Sequence, residues 1–304
     1  MLIATRSTVY ALETDTPESI LDDQPVVRVA EGDRFQIIAL KTGDLVILSE
    51  GNTQTLTTGI NENIEALHIL GEDPLHLLIG TEAPHVYRLL DGKVERLESF
   101  AQLECRDDFY TPWGGPAAVR SFASTQDGWV YADIHVGSIM RSPDRGDTWE
   151  PVTPDLNDDV HQVATSPQTN DRVYANTARA VYLSDDRGQT WHHRSEGFPY
   201  QYGRAIAVHP TDTDCLLATV SKGPHGDASG QLYRSTNAGQ SWNHITEGYP
   251  ESLSGNIDTF QVAFSQDGTA WSIVEQTLYK SDDRGQTWTA FWTAPEEINM
   301  IDCR

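Results

Sequence analysis

Five side chains could do chemistry and stand where the sequence otherwise alternates apolar residues. Arg120, His161, Arg204 and Asp258 open or precede the segments VRSFAS, VHQVATS, RAIAVH and FQVAF, and His135 closes WVYADIH. Each guanidinium can make a bidentate, charge-assisted contact, so two arginines in one pocket would suit a carboxylate, sulfate or phosphate. His135 and His161 could then serve as general acid and base near neutral pH, with Asp258 orienting one of them. The bland reading of the same set is an ion-paired plug of Arg120, Arg204 and Asp258 to which the histidines are hydrogen-bonded. Trp113, in the loop WGGP, is the indole free to stack on a sugar or aromatic ligand. His135, His161 and Asp133 would make a facial metal set, but no HxH or HxxxH spacing supports it. Neither a metal nor a cofactor is therefore expected.

Residues so far apart in sequence need a repeated frame to meet. The octet SDDRGQTW stands at residues 184–191 and again at 281–288, and SPDRGDTW and STNAGQSW stand at 142–149 and 235–242. Repetition at this scale is read before anything else. Asp144, Asp186, Asn237 and Asp283 can close a turn by folding side-chain oxygens onto backbone N–H groups. Gly146, Gly188, Gly239 and Gly285 supply the positive φ such a turn needs. Trp149, Trp191, Trp242 and Trp288 begin the next strand and bury a large ring. A short strand precedes each box, SIMR, AVYL, QLYR or TLYK, so the motif is a hairpin corner.

These octets resemble the Asp-box of sialidases, sortilin-type receptors and other BNR-repeat proteins. The resemblance implies an all-β fold, a β-propeller in which each box joins the third and fourth strands of a blade. It says little about activity, because the boxes in those families lie away from the ligand face. Further segments, WGGPAAVRS, DIHVGSIMRS, DVHQV, YQYGRAIAV, SKGPHG and GNIDT, are similar to signatures of a bacterial and archaeal family of single-domain BNR-repeat proteins. That resemblance implies Trp113, Arg120, His135, His161, Tyr202, Arg204, Asn256 and Asp258 as polar site positions. True sialidases resemble this chain only in the boxes. They carry an Arg-Ile-Pro element, three channel arginines and a Tyr–Glu nucleophile pair, whereas here Arg-Ile-Pro is absent, a third arginine is not assignable and only Tyr202 with Glu275 could mimic the pair. Xyloglucan-cleaving propellers also carry the boxes but use two propellers, more than 304 residues can build.

Aligning on the strand before each box predicts seven blades in one domain over residues 1–304. Residues 35–59 read as a compressed second blade, residues 14–24 as a polar loop in the first and residues 105–116 as an insertion before the fourth. The C-terminal segment INMIDC is expected to supply the inner strand missing from the first blade, which would close the ring and hide sheet edges. In a propeller, inner-strand starts and second-strand ends converge at the channel mouth. That geometry selects Glu65, Arg120, His161, Arg204 and Asp258 from the first group and Asp133, His135, Arg179, Lys222, His225 and Glu275 from the second.

There are 45 Asp plus Glu against 21 Lys plus Arg, a formal charge of −24, and four lysines. Such an acidic, lysine-poor chain resembles the proteins of halophilic microbes, where salt screens self-repulsion, the alternative being an ordinary acidic cytosolic protein. The field repels phosphate backbones, so nucleic acid is not an expected partner. Cys105, Cys215 and Cys303 form no CxxC pattern and suggest a reducing interior. No 18-residue apolar run occurs, so a membrane partner is not expected either and a cytoplasmic location is the simplest expectation. The partner expected at the mouth is a small anionic or carbohydrate-like molecule, turned over by a hydrolase or lyase chemistry that is not sialidase. The alternative is a non-catalytic scaffold that binds a protein.

Overall fold

The computed structural model describes residues 1–303, and they form seven four-stranded antiparallel sheets. Blade 1 runs inside to outside as Ile298–Asp302, Leu2–Thr5, Val9–Ala11 and Glu18–Leu21. Blades 2 to 6 begin with the inner strands Val26–Glu31, Ile64–Glu72, Val119–Ser124, Val160–Ser166 and Tyr202–His209, and blade 7 with Val262–Phe264. Each inner strand packs against those of the two neighbouring blades, and that of blade 7 meets that of blade 1, so the ring is closed. This is a seven-bladed β-propeller.

Seven apolar clusters fill the seven spaces between neighbouring blades. Second strands carry the most buried residues, such as Ile37, Ile38 and Ala39 in blade 2 and Leu77, Leu78 and Ile79 in blade 3, all at 0% exposure. A strand covered on both faces reads as an unbroken apolar run, which these do.

The expected closure is present: Leu2 pairs with Asp302 and Ile3 with Ile301. Two boundaries differ from expectation. Blade 2 begins at Val26, not near Phe35, because VVRVAE is its inner strand and pairs with Gln36–Leu40. Within residues 14–24, Glu18–Leu21 is the outer strand of blade 1, paired with Val9–Ala11. An outer strand faces solvent, so its polar sequence looks like loop.

The four boxes share one geometry. In the last, Ser281 Oγ donates to Asp283 Oδ1 at 2.7 Å, and Asp283 accepts from Thr287 N at 2.8 Å and from Thr287 Oγ1 at 2.7 Å. Gly285 N donates to Ser281 Oγ at 2.9 Å, which locks the corner. Arg284 (φ 62°) and Gly285 (φ 81°) are consecutive left-handed residues. Residues 98–116, ahead of blade 4, hold a helical turn Glu98–Ala101 and a 3-10 turn Glu104–Asp108. Phe100 from this insertion is fully buried edge-on against Trp149, with centroids 5.2 Å apart. The loop beyond it carries Trp113, 66% exposed, to the rim of the channel.

Candidate functional site at the channel mouth

One backbone device recurs where the inner strands begin. The pairing register skips a residue at Asn299 in blade 1, Val27 in blade 2, Glu65 in blade 3, Arg120 in blade 4 and His161 in blade 5, and skips Arg204 with Ala205 in blade 6. A β-bulge leaves its extra residue without a cross-strand partner and re-aims the side chain. Six blades thus turn one residue out of the ladder at the same level. Asn299, Val27, Glu65, Arg120 and Arg204 line a cavity of about 1060 Å³ together with Trp113, His135, Tyr202, His225 and Asp258.

The charge of this cavity departs from the rest of the chain. Arg6, Arg28, Lys41, Arg120 and Arg204 line it against Glu65, Glu82, Asp258 and Glu297. Besides Arg6, Arg28 is a cavity arginine that sequence reasoning missed, since its strand was not placed. Its guanidinium is spent, with Nη2 2.5 Å from Glu65 Oε2 and Nη1 donating to Val27 O at 2.6 Å. Arg204 lies over the Tyr202 ring, 5.1 Å from its centroid, and approaches Asp258 at 3.4 Å, yet its buried Nε has no hydrogen bond. Arg120 differs from both: among the described residues its guanidinium makes no hydrogen bond or ion pair. Burial and the neighbouring Arg204 hold its pKa down.

Behind the arginines runs a row of rings. Trp113 and His135 lie 4.9 Å apart between centroids, His135 and His161 5.9 Å, and His161 and Tyr202 4.9 Å. His161 is fully buried and its Nδ1 donates to Gly203 O. That contact requires glycine at 203, because a Cβ there would run into the Asn176 side-chain amide. His161 Nε2 lies 3.4 Å from Tyr202 Oη and 3.2 Å from Asp159 Oδ1, and His135 Nε2 lies 3.6 Å from the same oxygen. Burial, then the charge of Arg120, pushes the His135 pKa down to about 4. Burial lowers that of His161 too.

Several expectations change. His161, out of reach of solvent, can position other groups but cannot act as an acid or base on a ligand. His135 reaches the cavity, but with its pKa near 4 it is neutral at pH 7 and offers a base or an acceptor, not an acid. Asp258 pairs with Arg204, and the carboxylate beside the histidines is Asp159, hidden in the acidic run NDDVH. Asp133 belongs to no facial set: it is fully buried, accepts from Ser121 Oγ, and burial raises its pKa to about 7. Asn256 faces the loop of residues 221–223, where its Oδ1 accepts from Ser221 Oγ at 2.6 Å and its Nδ2 donates to Gly223 O. Arg179, Lys222 and Glu275 do not line the cavity, so Tyr202 and Glu275 form no pair there. Lys222 instead lies 5.8 Å from the Tyr200 ring.

The family model Sortilin-Vps10 (sortilin, neurotensin receptor 3) matches residues 137–251, the stretch that holds three whole boxes. A xyloglucanase of a Paenibacillus species is 26% identical over 217 residues, which is 56% of this chain and 20% of that protein. The chain is a BNR-like β-propeller. Among solved structures, the GH74 xyloglucanase of Xanthomonas campestris superposes with a TM-score of 0.63 at 18% identity, over 87% of this chain and 45% of that one. YCF48 bound to a D1 peptide superposes with a TM-score of 0.58 at 16% identity, over 95% of this chain and 84% of the other. The BNR-like propeller therefore spans about a fifth of the length of the curated relative it matches. No helix among its described residues is long and apolar enough to cross a membrane.

Proposed function

We propose that this propeller domain binds a small anionic, carbohydrate-like ligand, of the sugar-acid type, at its channel mouth. The observation that carries the reading is Arg120, a cavity guanidinium with no partner among the described residues. A guanidinium that faces the cavity without a protein partner is free to take an anion in a bidentate, charge-assisted contact. Arg204, held loosely by Asp258, is the second anchor, and Trp113 at the rim offers a face for the apolar side of a sugar ring. The likeness to xyloglucanase propellers supports a carbohydrate as the ligand class. Hydrolysis would draw on Asp258 and His135, the two proposed catalytic groups that reach the cavity.

The test is calorimetric titration with uronic acids, neutral sugars and small dicarboxylates. Arg120→Gln should weaken the binding of the acids at least tenfold, about 1.4 kcal/mol, while leaving thermal stability unchanged or raised, because the guanidinium makes no hydrogen bond or ion pair within the fold. Equal affinity of the variant and the wild type for acids would sink the reading. The second reading, a protein-binding scaffold, is supported by the likeness to YCF48 over most of both chains. It gains if no sugar acid binds and an acidic peptide does, with the same loss in Arg120→Gln.

A further inference from the structure

Three ligand-type atoms meet behind the cavity wall. His135 Nε2 and His161 Nε2 lie 3.6 Å and 3.2 Å from Asp159 Oδ1, and all three atoms fall within 4.8 Å of one another. The tautomer of His161 follows from its other nitrogen, which donates to the carbonyl of Gly203 and leaves Nε2 with a lone pair, approached by the Tyr202 hydroxyl at 3.4 Å as well as by Asp159. Asp159 Oδ1 is buried and has no hydrogen bond. A carboxylate oxygen turned toward an imidazole lone pair is repulsive unless something positive sits between them. A proton or a metal ion would serve.

We infer that His135, His161 and Asp159 form a binding site for a divalent first-row transition metal, with two imidazoles and one carboxylate on one side and open positions toward the cavity. Two nitrogens and one oxygen suit zinc, iron(II) or cobalt(II), and suit magnesium or calcium poorly. One supporting contact is of the kind such sites use, the Gly203 carbonyl that fixes the His161 imidazole, and the Trp113 ring lies tilted against His135, 4.9 Å between centroids. Burial favours the neutral imidazoles that ligation requires. Arg120 and Arg204 act against a lone cation, so the site favours a metal whose charge is offset by Asp159 and by an anion held between it and the arginines. The inference stands without the sugar-acid reading, because it concerns atoms deeper than the arginine pair and is read by metal binding alone.

The experiment uses protein stripped with EDTA and titrated with Co2+ and with Zn2+, without other ligand. One Co2+ per chain should bind with visible d–d absorption, and Zn2+ should displace it. Asp159→Asn and His135→Gln should each weaken binding by about tenfold or more, with circular dichroism and melting temperature showing both folded. His193→Gln, at an exposed imidazole of an outer strand, should leave binding unchanged. Absence of stoichiometric binding, or equal binding in Asp159→Asn and His135→Gln, overturns the inference. So does a 15N spectrum of the stripped protein at pH 7 showing His161 protonated on both nitrogens, since a proton would then be the bridging charge. Loss of Co2+ binding in Arg120→Gln is not expected, whereas loss of acid binding in that variant is, so the two ideas fail separately.

Discussion

His135 sits between the Trp113 indole and the His161 imidazole, with Arg120 on the same cavity wall, and burial together with that positive charge holds its pKa near 4. An ordinary histidine would charge near pH 6.5. Titrations of wild type and His135→Gln with an anionic ligand should therefore show the same pH dependence between about pH 5.5 and 8, any step near 7 coming from Asp133, whose charge acts on Arg120. A rise in affinity near pH 6.5 as the pH falls that is present in the wild type and absent in the variant would mean that the imidazole is charging and that its surroundings are wetter than the geometry implies. Much of this site was legible. Arg120, His161 and Arg204 stand out in the sequence because they are polar at the start of apolar strands, and the register skips explain why such residues stand there. Asp159 was not legible, since nothing in NDDVH separates the half-buried acid beside the histidines from its neighbour Asp158. Asn256 was misplaced because an amide near a channel reads the same whether it meets a ligand or braces a loop.

At the scale of the element, the Asp-box is a corner held by its own side chains. Partial burial raises the pKa of Asp283, but the donors of Thr287, Ser281 and Gln286 outweigh it and hold the carboxyl below its usual range. Stability from this group is thus present above the ordinary carboxylate pKa and lost as pH falls through the depressed one. Asp283→Ala should cost about 1–2 kcal/mol, the usual scale for losing a side-chain oxygen that caps backbone N–H groups, measured by urea unfolding at pH 7. A loss below a few tenths would show that Trp288 packing alone shapes the corner. The boxes were plain in the sequence because the turn demands a fixed set of residues. The inner strand Val26–Glu31 was not, because its blade has no box to align on, and Arg28 went unseen with it.

For the whole molecule, the ring is fastened where Ile298–Asp302 joins Leu2–Thr5. Asp302 is half-buried there, accepts from Glu31 N at 2.7 Å, and desolvation followed by the Glu31 charge raises its pKa from 3.8 to about 7. A carboxyl raised in the folded state favours folding fully below its unfolded pKa, and that contribution is lost as pH rises toward 7. Asp133 acts in the same direction. The lowered histidines act oppositely, weakening the fold as pH drops below about 6.5. Asp302→Asn keeps an acceptor for Glu31 N and removes the titration. Its unfolding midpoint should fall less than that of the wild type between pH 5 and pH 8, and parallel curves for the two proteins would remove Asp302 from the account.

The residues turned out of the ladder at the mouth answer to no opposite number across the sheet. Their identities can be exchanged while every pairing that builds the wheel is kept, so selectivity and architecture are written in separate letters of this chain. A saturation library at positions 27, 65, 120, 204 and 299 should accordingly yield mostly well-folded proteins that differ in what they hold.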